Sequence, residues 1–262
     1  MIDLIDIGAN LTHDSFDADR DEVIDRATAC GIRRLIVTGS SEQSSLDAAN
    51  LAESRPGVLY ATAGVHPHHA REYTPPVSEV LVQLLQRNSV VAVGECGLDY
   101  FRDFSPREAQ QQAFQAQLGL AEAVGLPVFL HQRAAHDDFV AIARPMVPRI
   151  SRAVAHCFTG DRNELHEYLD MGLYIGITGW ICDERRGVQL RKLVADIPLD
   201  RLMLETDAPY LLPRTLQPKP PTRRNEPMHL REVLRVVAEA SGRTEESIAR
   251  ATTANAERFF GL

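Results

Sequence analysis

The feature that most constrains the fold is a regular alternation of short apolar runs with longer amphipathic stretches along all 262 residues. The runs are rich in β-branched residues and lack strict polar alternation, which is typical of strands buried on both faces of a parallel sheet. Amphipathic stretches between successive runs predict parallel pairing through right-handed crossovers. Eight runs are predicted to be strands: Leu4–Ile7, Leu35–Thr38, Leu59–Val65, Val90–Gly94, Val128–Leu130, Ala153–Ala155, Leu173–Thr178 and Leu202–Leu204.

Several helix boundaries can be predicted from capping residues. The tetrapeptide Ser105–Glu108 has the pattern of a capping box and begins a helix that Gly125 ends. A second helix is predicted to begin at Asp161 with Glu164 and to end at Gly172. The remaining predicted helices are Val80–Leu85, preceded by Ser78, and three near the carboxyl end, at Met228–Ala240, Thr244–Arg250 and Ala254–Phe260.

Eight strand–helix units predict a closed α/β barrel of the TIM type, (β/α)8, spanning residues 1–262 as a single domain. About 250 residues is the usual size of such a barrel, and this chain has 262. The stretch that most resembles a linker, Leu212–Pro227, contains five prolines and follows the eighth strand. In a barrel this position is on the carboxyl-terminal face, where active sites are built.

Composition and charge exclude several classes of protein. The four cysteines are far apart in sequence, so a disulfide framework or a structural zinc site is not expected. The amino terminus lacks a signal-peptide pattern, and no apolar stretch approaches the ~18 residues of a membrane span. We therefore expect a cytoplasmic, monomeric protein with no membrane partner. Because the net charge is −8, attraction to a polyanion would have to come from metal ions and local basic segments.

Residues able to bind a metal follow four of the predicted strands. Glu95 follows the fourth strand, His131 the fifth, His156 the sixth and Asp207 the eighth. The carboxyl ends of barrel strands converge in space, so these side chains are predicted to meet at one divalent metal site. A single histidine after a strand is more often structural than a ligand, and a carboxylate there is often a helix cap. The coincidence of four such positions favours the metal site.

Other catalytic arrangements are less consistent with the sequence. The chain contains no G-x-S-x-G motif, no P-loop and no glycine-rich dinucleotide loop between a strand and a helix. Cys96 and Cys157 neighbour two of the predicted ligands, but packing within the barrel wall is the better interpretation of both thiols. Asp99 could be a cap or a partner of a ligand, and the sequence leaves this open.

At these residues the chain resembles the TatD family of metal-dependent DNases, which belong to the amidohydrolase-like barrels. The resemblance extends from the first strand to the last helix. The motifs that carry it are Thr62–His68, Gly94–Asp99, Pro127–His131, His156–Gly160, Tyr174–Gly179, Glu205–Leu211, Arg224–Pro227 and Thr253–Ala256.

One departure from the family pattern concerns the end of the first strand. Most members have His-x-His there, whereas this chain has Gly8 and Asn10. Together with the segment Cys182–Gly187, this resembles the branch of the family described as magnesium-dependent 3′-to-5′ exonucleases of single-stranded DNA and RNA. Without two imidazoles, the first metal position would keep carboxylates, Asn10 and water, which favours Mg²⁺, with Mn²⁺ possible, over Zn²⁺. The resemblance suggests a role in DNA repair or nucleic-acid turnover.

A mechanistic hypothesis assigns roles to individual residues from their chemistry and their positions after the strands. The ion held by Glu95, His131 and His156 would bind a phosphate oxygen, and Asp207 would hold a second ion or take the proton of the attacking water. His66 is predicted to be catalytic, through a hydrogen bond to the phosphate or the leaving oxygen. Substrate contacts are predicted for Asn10, Arg185, Arg186, Arg223 and Arg224, and base stacking for Trp180. A solvated surface position is the open alternative for the four arginines, and packing within the barrel wall is the open alternative for Trp180.

Two competing functions remain open at this point. An amide or ester hydrolase of the same barrel class, such as an aminoacyl-tRNA deacylase, could use the same metal ligands. A barrel that has lost metal together with the His-x-His pair, and now only binds a partner, is the other alternative.

Overall fold

The computed structural model describes residues 3–262. Eight strands form one sheet in the order β1 to β8, and the strand pairs β3–β4, β4–β5, β5–β6 and β7–β8 are parallel. This confirms the predicted (β/α)8 barrel fold. The strands are β1 (Leu4–Ala9), β2 (Ile32–Val37), β3 (Leu59–Ala63), β4 (Val90–Asp99), β5 (Val128–Arg133), β6 (Ala153–Ala155), β7 (Tyr174–Ile177) and β8 (Leu202–Leu204).

Helices alternate with these strands, as a (β/α)8 chain requires. Among the helices of residues 3–262, none combines the length and the apolar composition needed to cross a bilayer. The helices are α1 (Arg20–Ala29), α2 (Glu42–Ser54), α3 (Pro75–Leu84), α4 (Arg107–Val124), α5 (His136–Met146), α6 (Arg162–Asp170), α7 (Val188–Leu193), α8 (Leu230–Ser241) and α9 (Glu245–Phe260).

The chain divides into two compact units, of which one comprises residues 37–156 and 168–173. This unit, called here the central unit, contains β3 to β6 and the helices α2 to α5. Aromatic rings in contact form part of its core: the ring centroids of the stacked pair Phe114 and Phe139 are 5.2 Å apart, and those of the tilted pair Phe139 and Tyr168 are 5.4 Å apart. These rings fix α4 and α5 over the strands that carry the candidate ligands.

The other unit, called here the terminal unit, comprises residues 1–36, 157–167 and 174–262. Within it Ala9, at the end of β1, forms an isolated parallel bridge with Ala208, which follows β8, and Asp207 donates its backbone N–H to the carbonyl of Gly8 at 2.8 Å. The end of the first strand is therefore hydrogen-bonded to the segment that follows the last strand. The prediction of a single domain stays a prediction.

Three helix predictions need correction. The helix predicted at Val80–Leu85 begins five residues earlier, because α3 spans Pro75–Leu84 and contains Ser78. The two predicted helices at Thr244–Arg250 and Ala254–Phe260 are one continuous helix, α9. Asn255, a poor helix former, is tolerated there because its side chain donates to the backbone carbonyls of Leu199 and Leu202. The predicted capping box before α4 does not form: the Ser105 hydroxyl donates to the carbonyl of His68, and no side chain caps the helix.

Asp6, a carboxylate fully buried in β1, makes the stability of the fold pH-dependent. Burial raises its pKa to about 7, although hydrogen bonds from Thr206 and from the backbone of Gly8 lower it. The folded state therefore holds this proton up to about pH 7, whereas the unfolded chain releases it near pH 4. The contribution of this group to stability is fully present below pH 4 and is lost as the pH rises towards 7.

We expect Asp6→Asn to remove this pH dependence. Its amide can replace the protonated carboxyl, so the variant should gain about 2–4 kcal/mol in free energy of unfolding over the wild type between pH 4 and pH 8. Urea denaturation at a series of pH values measures the difference, with Asp47→Asn on the surface of α2 as the control. A difference between Asp6→Asn and wild type that does not change with pH would contradict the expectation.

Candidate metal centre

The candidate ligands lie within or after four strands of the central unit, β3 to β6. His66 follows β3 and begins a 3-10 turn at Pro67–Glu72, and Glu95 lies within β4. His131 lies within β5, and His156 directly follows β6. The three predicted ligands of this unit, Glu95, His131 and His156, therefore lie in the carboxyl halves of consecutive strands or directly after them, and His66 follows the preceding strand.

Glu95 is the residue that joins the imidazoles. Its Oε1 atom lies 2.7 Å from His156 Nε2, 2.9 Å from His131 Nδ1 and 3.3 Å from His66 Nε2. The backbone N–H of Glu95 donates to the carbonyl of Gly39 at 2.7 Å, which fixes the strand at this point. One buried carboxylate is thus surrounded by three imidazole rings.

This donor set fits a divalent cation. One ligand atom from each of His66, Glu95 and His131 lies within 4.8 Å of the others, a spacing that one ion can bridge. His156 is in contact with both Glu95 and His131, at 2.7 Å and 3.4 Å. Imidazole nitrogens and a carboxylate are common ligands of divalent metals in hydrolases. The sequence assigned His66 to substrate rather than metal, and the structure groups it with the ligands.

The protonation states of His66 and Glu95 suit metal binding. Burial lowers the pKa of His66 to about 4, so its imidazole is neutral at physiological pH. Burial alone would raise the pKa of Glu95, but the neighbouring His156 and His66 outweigh it and hold that pKa well below its usual range. A neutral imidazole and an ionised carboxylate are the forms that coordinate a cation.

Asp99, at the end of β4, contacts the candidate ligand His131 and also hydrogen-bonds to the loop that follows the strand. Its Oδ2 lies 2.9 Å from His68 Nε2 and 3.4 Å from His131 Nε2. Its Oδ1 accepts hydrogen bonds from the backbone N–H groups of Phe101 and Arg102. Asp99 therefore acts both as a turn cap and as a partner of a candidate ligand, the two roles between which the sequence could not decide.

The contact with the Asp99 carboxylate orients the ring of His131. Its Nε2 is buried and makes no well-formed hydrogen bond to any residue of 3–262, and Asp99 Oδ2 is at ion-pair distance. Burial lowers the pKa of His131, but Asp99 and Glu95 outweigh burial, so the pKa is raised. Histidine ligands of metals commonly have a carboxylate on the nitrogen that faces away from the ion, which sets the tautomer.

Gln117 of α4 holds the segment that carries His66. This buried amide accepts from the backbone N–H of Val65 at 2.7 Å and donates to the Val65 carbonyl at 3.0 Å. Both backbone groups therefore depend on one side chain.

We expect Gln117→Leu to lower the free energy of unfolding by about 2–5 kcal/mol, because two buried polar groups lose their partner. Urea denaturation measures this, with Gln112→Leu on the exposed face of α4 as the matched control. Equal destabilisation by the two variants would show that the Val65 contacts are not important.

Asp207 and Asn10 lie in the terminal unit. The Asn10 amide donates to Asp207 Oδ1 at 3.0 Å, so the two predicted residues are in contact with each other. The metal-competent group of His66, Glu95 and His131 does not include Asp207. Metal binding by Asp207 and substrate binding by Asn10 stay predictions.

The predicted substrate arginines differ in how they are engaged. Arg186 pairs with Asp183 at 2.9 Å and lies over the ring of Trp180, and Arg185 is 3.8 Å from Asp183. Arg224 is the most constrained, because it pairs with Asp19 and Glu226 and contacts the Ser15 carbonyl. Arg223 is exposed. Substrate binding by all four, and base stacking by Trp180, remain predictions.

Sequence reasoning assigned no role to three buried or half-buried polar residues. Glu205, after β8, accepts the backbone N–H of Cys157. His68 contacts Asp99, and Asp6 accepts hydrogen bonds from Thr206. Burial also raises the pKa of the Cys96 thiol, which agrees with a packing role. A polar residue within an otherwise apolar run was the available signal for Asp6.

Comparison with known proteins gives one consistent result. The model of the family described as "TatD related DNase" matches residues 5–261. Two proteins named "3'-5' ssDNA/RNA exonuclease TatD" are similar to this chain over 259 residues. The protein of Erwinia billingiae is 52% identical, and the match covers 99% of each chain. The protein of Pantoea ananatis is 49% identical, and the match covers 99% of this chain and 100% of the relative. The crystal structure of a TatD homologue from Escherichia coli K12 superposes with a TM-score of 0.90 at 32% identity over 100% of both chains. The chain belongs to the TatD-related DNase family.

Proposed function

We propose that this protein is a Mg²⁺-dependent nuclease that removes nucleotides from the 3′ end of single-stranded DNA and RNA. The observation that carries the proposal is the contact of Glu95 with three imidazoles, a set of groups that could hold a divalent metal ion, in a chain of this family. Relatives with about 50% sequence identity to this chain are named 3'-5' ssDNA/RNA exonucleases, which agrees with the proposal. Phosphodiester hydrolysis at neutral pH is a reaction for which such metal sites are suited.

His66, Glu95 and His131 would hold the ion, together with His156. A divalent ion held there supplies a Lewis acid that polarises the phosphodiester and favours ionisation of water. We assign to Asp207 the acceptance of the proton from the attacking water, or a share in metal binding. The hydrogen bond from Asn10 restricts the orientation of the Asp207 carboxylate.

Mg²⁺ is the proposed ion because Asn10 stands where most of the family has an imidazole, leaving oxygen ligands and water at that position. The three imidazoles around Glu95 are also suitable for Mn²⁺ or Zn²⁺. Activity with each of the three ions over a range of concentrations tests the choice, and activity restricted to Zn²⁺ would contradict it.

We also propose that the protein acts in the cytoplasm as a monomer. All four cysteines are free thiols, as a reducing compartment requires. Size-exclusion chromatography with light scattering tests the monomer, since the expected mass is 29.1 kDa.

The decisive experiment uses single-stranded DNA and RNA oligonucleotides labelled at the 3′ or the 5′ end, with Mg²⁺ or EDTA. We expect the 3′ label to be released as a mononucleotide and the 5′-labelled strand to shorten progressively, in both cases only with Mg²⁺. Internal cuts would replace the exonuclease by an endonuclease. Failure to cleave with any divalent ion, together with turnover of esters or aminoacyl-tRNA, would replace the nuclease by an amide or ester hydrolase.

A further inference from the structure

Two phenylalanine rings lie exposed on the loop that follows β4. Phe101 is 60% exposed and Phe104 is 54% exposed, although burying such a ring would contribute about 1.5–3 kcal/mol. Exposed apolar groups set among charged residues commonly mark a binding surface. With Arg102, Arg133 and Arg71, whose guanidinium donates to the backbone carbonyl of Phe104, they form a surface called here the aromatic platform.

The platform is continuous with the candidate metal centre. One oxygen of the Asp99 carboxylate accepts hydrogen bonds from the backbone N–H groups of Phe101 and Arg102, and the other oxygen lies near His131 Nε2. The ring of Phe104 is 4.8 Å from that of His68, whose centroid is in turn 4.2 Å from His66. The Phe104 ring and the backbone of Phe101 are therefore each separated from a candidate ligand by one residue, His68 and Asp99 respectively.

Positive charge surrounds the rings. The guanidinium of Arg133 lies 4.0 Å from the centroid of the Phe101 ring, and that of Arg102 lies 5.9 Å from it. Within residues 3–262, no carboxylate lies at ion-pair distance from Arg71, Arg102 or Arg133. On a chain of net charge −8, three unneutralised arginines make a local basic surface.

We propose that the aromatic platform binds the unpaired bases and the phosphates of a single nucleic-acid strand next to the metal centre. Flat rings flanked by cations are the arrangement with which proteins bind single strands, because an unpaired base stacks on the ring while arginines contact its backbone. Bases inside a duplex have both faces covered. The platform therefore gives the proposed nuclease, on which this inference rests, its selectivity for single strands.

The test compares binding and chemistry in the same preparations with Mg²⁺. Binding is measured by the fluorescence anisotropy of a labelled phosphorothioate oligothymidylate, which resists cleavage, and chemistry by hydrolysis of bis(p-nitrophenyl) phosphate, which offers no strand to bind. We expect Phe101→Ala and Phe104→Ala each to raise the Kd about 5- to 100-fold. Hydrolysis of the small diester should stay at the wild-type rate.

Controls separate stacking from general apolar contact. Phe101→Trp should keep wild-type affinity, Phe101→Leu should bind as weakly as Phe101→Ala, and Val188→Ala, at an exposed apolar residue of α7, should change nothing. Arg133→Gln should lower the slope of log Kd against log salt by about 0.7.

Affinities of both alanine variants within about twofold of wild type would overturn the platform but not the nuclease. A wild-type protein that hydrolyses no phosphodiester would overturn the proposed function itself.

Discussion

Glu95→Ala is expected to abolish Mg²⁺-dependent nuclease activity, with a fall in kcat/KM of at least about 1000-fold. The reason is the position of the carboxylate, which contacts His66, His131 and His156 through one oxygen. Without it, the three imidazoles lose the carboxylate that they share, and a divalent cation loses the one carboxylate of the group formed by His66, Glu95 and His131 within residues 3–262.

Glu95→Gln makes this test sharper. The amide has the shape of the carboxylate and can still hydrogen-bond to the imidazoles, so the fold should be kept while the negative charge is lost. Activity and the Mg²⁺-induced rise in Tm are measured together, with Glu53→Gln on α2 as the control. We expect both signals to vanish in Glu95→Gln and to persist in the control. Full activity in a folded Glu95→Gln protein would remove the metal centre from the mechanism.

The sequence predicted the existence of the strands more accurately than the residues at which they begin and end. All eight runs are strands, because parallel barrel strands are buried on both faces and their apolar character is visible without an alignment. β2 begins at Ile32, three residues earlier than predicted, since Arg33 and Arg34 interrupted the apolar run. Their charges are matched by Asp3 and Glu257, partners that are distant along the chain.

The same limit applies to the candidate site. Glu95, His131 and His156 could be placed together because the fold brings the carboxyl ends of consecutive strands to one edge. The grouping of His66 with these ligands could not be predicted, because it depends on a 3-10 turn that directs the ring towards Glu95. Similarly, the sequence does not show that Asp19 and Glu226 already engage Arg224.

Asp99→Asn is the second change with a large expected effect, and it acts on metal affinity. The asparagine carbonyl can still accept the backbone N–H groups of Phe101 and Arg102, so the loop is kept. Its amide nitrogen, however, would face His131 Nε2 as a donor. That contact favours the tautomer in which the proton sits on Nδ1, the nitrogen that faces Glu95. His131 would then present a proton where a ligand needs a lone pair.

We therefore expect Asp99→Asn to raise the Mg²⁺ concentration for half-maximal activity by about 10- to 100-fold. Activity at saturating Mg²⁺ should fall much less, because the ligands themselves are unchanged. Titration of activity with Mg²⁺ measures both quantities, and Asp103→Asn in the same loop is the matched control. Loss of activity that no concentration of Mg²⁺ restores would instead mean that Asp99 acts on the substrate. An unchanged titration would mean that its contact with His131 does not set the tautomer.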